Sequence, residues 1–342
     1  MIRAIFSECG GSTPHSERGR NLFAGDECNG MARPKILVVG STNTDMVVAA
    51  PALPAPGQTV LGGAFRMTPG GKGANQAVAA ARAGGDVTFV TAVGDDGFGT
   101  ESVARFRAEG IDIRHIVTCR GVPSGVALIM VDAYGENLIA VAPGANARLL
   151  PGDLATADTA FRETSFLITQ LEIPPESVQW AAEKAAHTGT TVLLNPAPMP
   201  PEGLPDELLQ YVDILTPNEG ELRALAPEAG SLEEAAARVL ARGPKIVVIT
   251  RGKRGATACT PDGPLEVPAV RVTPVDTVGA GDCFSACLAV ALAEGHSLAD
   301  ALRFAVAAAG LSTTRPGAQA SMPTRAEIEG ILETADFADF TE

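Results

Sequence analysis

Positive charge is scarce in this sequence. Its 342 residues include 26 Lys and Arg but 40 Asp and Glu, so the formal net charge is −14. A surface of that sign repels phosphodiester backbones and anionic lipid headgroups, which argues against a nucleic-acid partner and against a membrane partner. No apolar run has the length of a transmembrane helix, and residues 1–10 lack the apolar core of a secretory signal. Together these absences predict a cytoplasmic protein.

Cysteine and aromatic residues are also few. The six cysteines show no CxxC spacing and no neighbouring histidine cluster, which indicates reduced thiols rather than a zinc site. Cys283 and Cys287 fall one helical turn apart, but two thiols without a second ligand pair are more typical of small buried residues. Aromatic residues make up 4% of a chain that is 46% hydrophobic. Ala, Val and Leu must therefore fill the core, and such small side chains suit helices packed closely on a sheet.

Short apolar runs alternate with helical patterns along most of the chain. The runs predicted to be buried strands are 35–39, 87–93, 166–170, 191–194, 214–216 and 246–250. The predicted helices are 74–83, 99–109, 175–187, 219–226, 232–242, 283–294, 298–310 and 324–334. This alternation predicts an α/β fold, a three-layer sandwich around a mostly parallel sheet. The globular pattern starts after Met31, so we expect one domain over 34–334 and a disordered leader, or an overextended start, over 1–30.

Two segments interrupt the alternation, 46–67 and 116–142. The second contains two apolar runs, 126–131 and 137–142, on either side of a predicted turn at 133–136. Both segments are predicted to form antiparallel strands. A sheet of so few strands cannot bury both of its faces alone, so we expect a small β-sheet lid that covers a cleft, pairs with another subunit, or does both.

The segment 276–282 has the sequence Asp-Thr-Val-Gly-Ala-Gly-Asp and lies where a loop is predicted to enter a helix. A helix start presents unpaired N–H groups and a partial positive charge, so it can hold an anion without a cationic side chain. Gly279 and Gly281 let a phosphate approach the backbone closely. Asp282 would then stand beside that phosphate as a general base for an attacking hydroxyl, or would be a simple helix cap.

A second glycine-rich segment, 70–76, has the sequence Gly-Gly-Lys-Gly-Ala-Asn-Gln and opens another predicted helix. It is not a Walker phosphate loop, because Arg66 and Gly73 stand where that pattern requires Gly and Ser or Thr. Lys72 and Asn75 can hydrogen-bond a polyol from this helix start. The alternative is an ordinary glycine-rich cap with a solvated lysine.

Carboxylate and amide side chains follow two of the predicted strands. Asn43 and Asp45 lie two residues apart after the first strand, so both can point into one crevice and bind sugar hydroxyls. Glu172 follows the run that begins at 166 and offers a further carboxylate. An Asx turn and a solvated carboxylate are the structural alternatives.

Two later segments have the composition of a nucleotide site. Asn218 and Glu221 follow a predicted strand and form either an oxygen cluster for hydrated Mg²⁺ or a capping box. The segment 250–255, Thr-Arg-Gly-Lys-Arg-Gly, ends the next strand with backbone donors and three cations. It suits nucleotide phosphates, although a tight surface turn has the same composition.

These clusters occur together in one known family. Over residues 34–331, the chain resembles the ribokinase, or PfkB-type, carbohydrate kinases. It is most similar to the ribose-specific members of that family through the segments 40–45, 70–76, 144–146, 195–198, 216–219 and 315–319. The resemblance implies a ribokinase-like fold and ATP-dependent phosphorylation of D-ribose at its 5-hydroxyl.

The resemblance also implies roles for individual residues. Ribose would be bound by Asn43, Asp45, Gly71, Lys72, Asn75, Glu172 and Asp282. Asp282 would be the general base, and the anion hole would consist of Gly279, Ala280 and Gly281. ATP, with its Mg²⁺, would contact Asn218, Glu221, Thr250, Arg251, Gly252, Lys253, Arg254, Gly255, Gly281 and Val306. An activating K⁺ would be bound by Asp276, Val278, Ser312, Arg315, Gly317 and Ser321.

The resemblance further implies a homodimer formed through the lid sheet, and it leaves the substrate open within the family. The alternatives are 2-deoxyribose, another sugar or a nucleoside. A site built around the 2-hydroxyl would reject a deoxy sugar, whereas a looser site would not. A catalytically silent sugar-binding regulator is a further alternative, but a pure binder would not need Asp282.

Overall fold

The computed structural model describes residues 32–334, so the predicted leader at 1–30 lies outside the described residues. The strands are β1 Lys35–Val39, β2 Asn43–Ala49, β3 Phe65–Gly70, β4 Asp86–Gly94, β5 Ile116–Cys119, β6 Gly125–Val131, β7 Asn137–Ala142, β8 Phe166–Thr169, β9 Thr191–Leu194, β10 Ile214–Leu215, β11 Ile246–Thr250, β12 Ala256–Thr260 and β13 Gly263–Val267. The helices are α1 Lys72–Arg82, α2 Gly97–Ala108, α3 Pro151–Leu154, α4 Asp158–Glu163, α5 Pro175–Thr188, α6 Asp206–Leu209, α7 Glu219–Leu225, α8 Leu232–Leu240, α9 Ala280–Ala293, α10 Leu298–Ser312 and α11 Arg325–Thr334.

Nine strands form one large sheet in the order β13-β12-β11-β10-β9-β8-β1-β4-β5. Neighbouring strands run parallel from β11 to β5, and only β12 and β13 add antiparallel pairs at one edge. Both faces of a parallel sheet are covered, because the helices that connect its strands cross over the two sides of the sheet. The prediction of a mostly parallel sheet is confirmed.

Adjacent residues of each strand enter different core layers. Ile36 and Val38 pack in the layer formed with α1, α2, α9, α10 and α11, whereas Leu37 and Val39 pack in the layer formed with α3 to α8. This is the period of two expected of a strand that is buried on both faces. The predicted three-layer sandwich is therefore confirmed. Within residues 32–334, none of the helices combines the length and apolar character that crossing a bilayer requires.

A second sheet has the order β3-β2-β6-β7 and stands apart from the large one. It contains the predicted hairpin, β6 and β7, and corresponds to the small sheet expected from the two irregular segments. Two details differ from the prediction. β5, the start of segment 116–142, pairs with β4 at the edge of the large sheet, and β2 pairs with β6 in parallel rather than antiparallel fashion. The small sheet therefore comprises β2, β3, β6 and β7.

Candidate active site

The sheet has a switch point at β1. It continues from β1 to β8 on one side and to β4 on the other, and ligands of open α/β sheets bind in the crevice at the carboxyl ends of such strands. Asn43 and Asp45 lie on β2 directly after β1, and Glu172 lies just beyond β8. The fold thus brings these three predicted sugar ligands to one crevice.

The glycine-rich segment 70–76 packs directly on the connection between β1 and β2. A Cβ atom at Gly70 would lie 2.3 Å from the carboxylate oxygens of Asp45, and one at Gly73 would lie 2.5 Å from the backbone N of Ser41. Glycine is required for this approach, because any larger residue would push the two segments apart. The close packing places Lys72 at the start of α1, facing the same crevice.

Asp282 is held by two side-chain amides of α1. It lies in the first turn of α9 and is only 5% exposed. Asn75 Nδ2 donates to Asp282 Oδ2 at 2.9 Å, and Gln76 Nε2 donates to Oδ1 at 3.0 Å. Both carboxylate oxygens therefore bond to α1 rather than to the N–H groups at the start of their own helix. This geometry does not fit the simple helix cap that was the alternative for Asp282.

Lys72 shares the crevice with four carboxylates. Burial lowers the pKa of Lys72, but the negative charges of Asp282, Glu172, Glu221 and Asp45 together raise that pKa above its ordinary value. For Asp282, burial has the opposite effect and raises the pKa, and the positive charge of Lys72 opposes that rise. A carboxylate with a raised pKa is a stronger base than an ordinary one, so it accepts a hydroxyl proton better.

The predicted sugar ligands are themselves fixed by hydrogen bonds. Asn146 Nδ2 donates to Asn43 Oδ1 at 2.7 Å. Glu172 Oε2 accepts bonds from Ser41 Oγ at 2.5 Å and from the backbone N–H of Lys72 at 3.0 Å. Rigid polar groups of this kind can orient a polyol without first paying the entropy of ordering themselves.

Asn75 also keeps an acceptor available. Its Oδ1 is buried and has no hydrogen-bond partner among residues 32–334. Since its Nδ2 is committed to Asp282, the amide orientation is set, and the carbonyl oxygen cannot be exchanged for a donor by a flip. An unpaired buried carbonyl is unfavourable by itself, so a ligand hydroxyl at this place would satisfy it.

The start of α9 has the features of the predicted anion hole. Gly279 precedes the helix with a φ of 78°, and a Cβ atom there would lie 3.1 Å from both Ala318 Cβ and Met322 Cε. Ala280 N–H contacts Thr277 O at 3.3 Å, whereas Gly281 N–H belongs to the first turn, which has no helical carbonyl to bond. Gly281 is exposed, so an anion can reach this backbone.

The predicted nucleotide residues lie at neighbouring strand ends. Asn218 and Thr250 form an isolated parallel bridge, which places the starts of α7 and of segment 250–255 side by side. Asn218 and Glu221 do form the reciprocal capping box, with both bonds at 2.8 Å. This cap occupies only Oε2 of Glu221, so the structural and functional interpretations of this pair are compatible.

Two of the cations predicted for the phosphates already have a partner. Arg254 Nη2 lies 2.6 Å from Glu219 Oε1, and Arg251 Nε lies 3.2 Å from the same oxygen. Lys253 is exposed, and Gly252 and Gly255 shape the intervening turn. Val306 is 6% exposed within the core layer of α10. Its contact with the adenine ring of ATP stays a prediction.

The residues predicted to bind K⁺ come from the loop before α9 and from the stretch between the last residue of α10 and the start of α11. Asp276 accepts the backbone N–H of Val278 at 3.0 Å and that of Gly317 at 2.9 Å. The hydroxyls of Ser312 and Ser321 both donate to nearby backbone carbonyls, so their oxygens keep free lone pairs. The Arg315 side chain instead pairs with Glu327, 2.6 Å away, so only its backbone carbonyl is suited to the predicted role.

Four residues near these groups were not assigned roles from the sequence. Gln76 bonds to Asp282, Asn146 fixes Asn43, Ser41 bonds to Glu172, and Glu219 pairs with the two arginines. Each lies in a segment that carries the family resemblance, but no local pattern shows what its side chain contacts. Their contacts arise between distant parts of the chain, so they become visible only in the fold.

Comparison with known proteins identifies the family. Residues 33–325 match the model of the pfkB family of carbohydrate kinases. A ribokinase of Bacillus subtilis is 42% identical and covers 87% of this chain and 99% of its own, and a deoxyribokinase of Salmonella typhi is 36% identical and covers 84% and 95%. The structure of Arabidopsis thaliana ribokinase complexed with ribose and ATP superposes with a TM-score of 0.79 at 32% identity, covering 88% of this chain and 99% of that one. The resemblance found in the motifs is thus confirmed, and the chain belongs to the pfkB family of carbohydrate kinases.

Proposed function

We propose that this protein transfers the γ-phosphoryl group of ATP to the 5-hydroxyl of D-ribose. The observation that carries the proposal is the position of Asp282, buried at a helix start and held by Asn75 and Gln76 beside the predicted sugar ligands. Similarity to ribokinases over nearly the whole chain supports ribose as the acceptor. Ribose 5-phosphate and ADP would be the products.

The proposed reaction assigns one role to each part of the crevice. Asp282 takes the proton of the 5-hydroxyl, the hydroxyl oxygen bonds to the γ-phosphorus, and the bond from that phosphorus to the bridging oxygen of ADP breaks. The N–H groups at the start of α9, with Gly279 to Gly281, stabilise charge on the transferred group. The positive charge of Lys72 stabilises the same transferred group.

Two metal ions belong to the proposal. Mg²⁺ would accompany ATP near Asn218 and Glu221, where one carboxylate oxygen outside the capping box suits an ion that keeps most of its waters. K⁺ would be held by the loops that contain Asp276 and Gly317, and it would stabilise the shape of the anion hole next to them. ATP is a cytoplasmic metabolite, so a cytoplasmic location is part of the same proposal.

The nearest alternative substrate is 2-deoxyribose, because one relative that is 36% identical is a deoxyribokinase. Coupled ADP release by the purified protein, with ATP and Mg²⁺, tests both over a panel of ribose, 2-deoxyribose, fructose and adenosine, with and without K⁺. We expect the highest kcat/KM on ribose and a higher rate with K⁺. Preference for another member of the panel would overturn ribose as the substrate. If no member of the panel supported ADP release, the sugar-binding regulator would be favoured.

Binding of the sugar should depend on the charge of Asp45. Burial raises the pKa of Asp45 to about 6, with further contributions from the negative charges of Glu172 and Asp282. The carboxylate is therefore ionised at pH 7 and mostly protonated at pH 5. If the ionised form accepts a sugar hydroxyl, KM for the sugar should rise about tenfold between these two pH values. Asp45→Asn should have a high KM that does not change over the same interval, and a wild-type KM independent of pH would contradict the role of Asp45.

We propose that the small sheet is a lid over the sugar. Asp45 lies on β2, and the strand register puts Ile139 and Val141 of β7 on the same face of the sheet as Asp45. These two side chains are 57% and 52% exposed. Apolar side chains on this face would cover a bound sugar and exclude the water that would otherwise hydrolyse ATP.

The opposite face of the lid sheet supports the proposal of a homodimer. Phe65, Met67, Leu128 and Leu138 all lie on it and are all more than half exposed. A cluster of large apolar side chains on one exposed face is typical of an interface. A second copy of the chain, joined through the same face, would bury these residues.

Replacing one residue of this face should separate the dimer. We expect light scattering to give the mass of two chains for the wild type and of one chain for Leu128→Asp, because the charge would be buried at the interface without a partner. Tyr134→Asp is the control, since Tyr134 lies in the β6–β7 turn and is 89% exposed. A monomeric wild type, or a Leu128→Asp variant that stays dimeric, would contradict this interface.

A further inference from the structure

Gln76 connects the candidate base to the ends of three strands. Its side chain is fully buried on α1. Its Nε2 donates to Asp282 Oδ1 at 3.0 Å and contacts Asn195 Oδ1 at 3.3 Å, and its Oε1 accepts from Gln170 Nε2 at 2.6 Å. Asn195 Nδ2 in turn donates to Thr216 O at 3.1 Å. Gln170, Asn195 and Thr216 directly follow β8, β9 and β10.

The chemistry of these groups permits only one direction for the chain of hydrogen bonds. An ionised carboxylate only accepts, so the amide nitrogen of Gln76 must face Asp282. The oxygen of Gln76 then faces Gln170, which must present its own nitrogen. As a consequence, Gln170 Oε1 is buried and has no hydrogen-bond partner among residues 32–334. This unfavourable group is the cost of an arrangement that points a donor at the base.

The surrounding backbone is built to accommodate the same arrangement. A Cβ atom at Gly40 would lie 2.0 Å from Gln170 Oε1. Glycine after β1 therefore leaves the space in which the Gln170 amide sits. With Asn75 on Oδ2 and Gln76 on Oδ1, the plane of the Asp282 carboxylate is fixed from both sides.

We propose that Gln76 is a positioning residue that orients the Asp282 carboxylate by donating a hydrogen bond to Oδ1. A donor at this oxygen also favours the ionised form of a carboxylate over the protonated form. This inference rests on the proposed function, in which Asp282 is the general base. Gln76 need not contact either substrate. Its effect would reach the reaction through Asp282, and Gln170 would act one step further away by orienting Gln76.

The first test replaces Gln76 by Met, which has a similar shape but no hydrogen-bonding group. We expect kcat to fall about 10- to 100-fold, because misplacement of a catalytic group by about 1 Å has effects of this size. KM for the sugar should change less than about threefold, since Gln76→Met leaves Asn43, Asp45 and Glu172 in place. Gln179→Met is the matched control, because Gln179 lies on α5, away from the crevice, and donates to the backbone carbonyl of Glu207. Thermal unfolding of each variant reports whether the fold is retained.

The second test uses Gln76→Glu, which keeps the shape of the side chain and an acceptor for Gln170. It places a second carboxyl group against Asp282, so the acid limb of the pH profile of kcat should move upward by more than about one unit. Lys72, Glu172, Asp45 and Glu221 also face Asp282 electrostatically, and all are unchanged in this variant. An acid limb identical to that of the wild type would overturn the proposal.

A double-mutant cycle with Asp282→Asn separates positioning from a general structural role. If Gln76 acts through Asp282, Gln76→Met should lower kcat less than about twofold once Asp282 is replaced. The same fold-change in both backgrounds would overturn the inference. A wrong base assignment gives a different result from a wrong role for Gln76. In that case Asp282→Asn alone would keep wild-type turnover, and the proposed role of Gln76 would be wrong as well. Normal turnover of Gln76→Met beside an impaired Asp282→Asn would overturn the role of Gln76 alone.

Discussion

Asp282→Asn should lower kcat by about 10²- to 10⁴-fold, the contribution that a general base typically makes. Asn has almost the same shape as Asp but does not take the proton of the attacking hydroxyl. KM for the sugar should change much less, because Asn43, Asp45 and Glu172 keep their positions. Steady-state kinetics with the preferred sugar measure both quantities, and near-wild-type kcat in a folded variant would contradict the assignment.

A matched control is available in the next helix. Asp300 stands in the first turn of α10, as Asp282 does in α9, but its carboxylate bonds to Ser297 and pairs with Arg303. Asp300→Asn therefore removes a similar interaction with a helix start without touching the crevice. We expect Asp300→Asn to change kcat less than about twofold and to have only a modest effect on thermal stability. A large loss of turnover in Asp300→Asn would mean that helix stability, and not proton transfer, explains both variants.

Lys72→Met should have the second-largest effect, a loss of about 10²- to 10³-fold in kcat/KM. The γ-phosphoryl group would lose a cation from a site in which such fixed charges contribute strongly. Four carboxylates, Asp45, Glu172, Glu221 and Asp282, would also lose the positive charge they share. Because the charge of Lys72 lowers the pKa of Asp282, its removal should shift the acid limb of the pH profile to higher pH.

The control for Lys72→Met is Lys35→Met. Lys35 lies on β1 but is exposed, and its ion pair with Glu163 lies at the surface. Exposed pairs contribute little to stability, so this variant should retain nearly all of its activity. If kcat/KM and the acid limb of Lys72→Met both matched those of the wild type, the predicted role of Lys72 in the crevice would be wrong.

The buried part of the fold was predictable because its local patterns are strong. β1, β9 and β11 have the predicted bounds, since each is a short, largely apolar run of β-branched residues and leucines that is buried on both faces. β12 and β13 were missed. β12 contains alanine, threonine and cysteine without a long apolar run, and β13 begins with Gly-Pro, a pair more typical of turns.

The small sheet was harder to delimit than the core. β5 has the composition of a strand, but nothing local to its four residues shows that it pairs with β4 and not with the lid hairpin. The helix that carries Asp282 also begins earlier than predicted, at Ala280 rather than 283. Gly279 adopts a left-handed conformation that ends the loop, and a sequence pattern does not show where that turn occurs.

The candidate site also contains both residues that the sequence predicted and residues that it did not. The segments 70–76 and 276–282 were identified because glycines at a helix start beside a charged residue form a local pattern. Gln76 ends the first of these segments but was assigned no role, since an amide at the start of an alanine-rich helix indicates no chemistry by itself. Its contacts with Gln170, Asn195 and Asp282 span 94, 119 and 206 residues of sequence, so only the packing of α1 against α9 and the sheet shows them.

The most direct test of the proposed reaction is the identity of the phosphorylated product. Ribose, ATP, Mg²⁺ and K⁺ should be incubated with the wild type and with Asp282→Asn, and the products should be analysed by ³¹P NMR with proton coupling. We expect the wild type to form a phosphomonoester coupled to the two protons on C5 of ribose, and the variant to form it at least about 100-fold more slowly. Phosphate on another carbon, release of inorganic phosphate alone, or equal rates for the two proteins would contradict the proposed reaction.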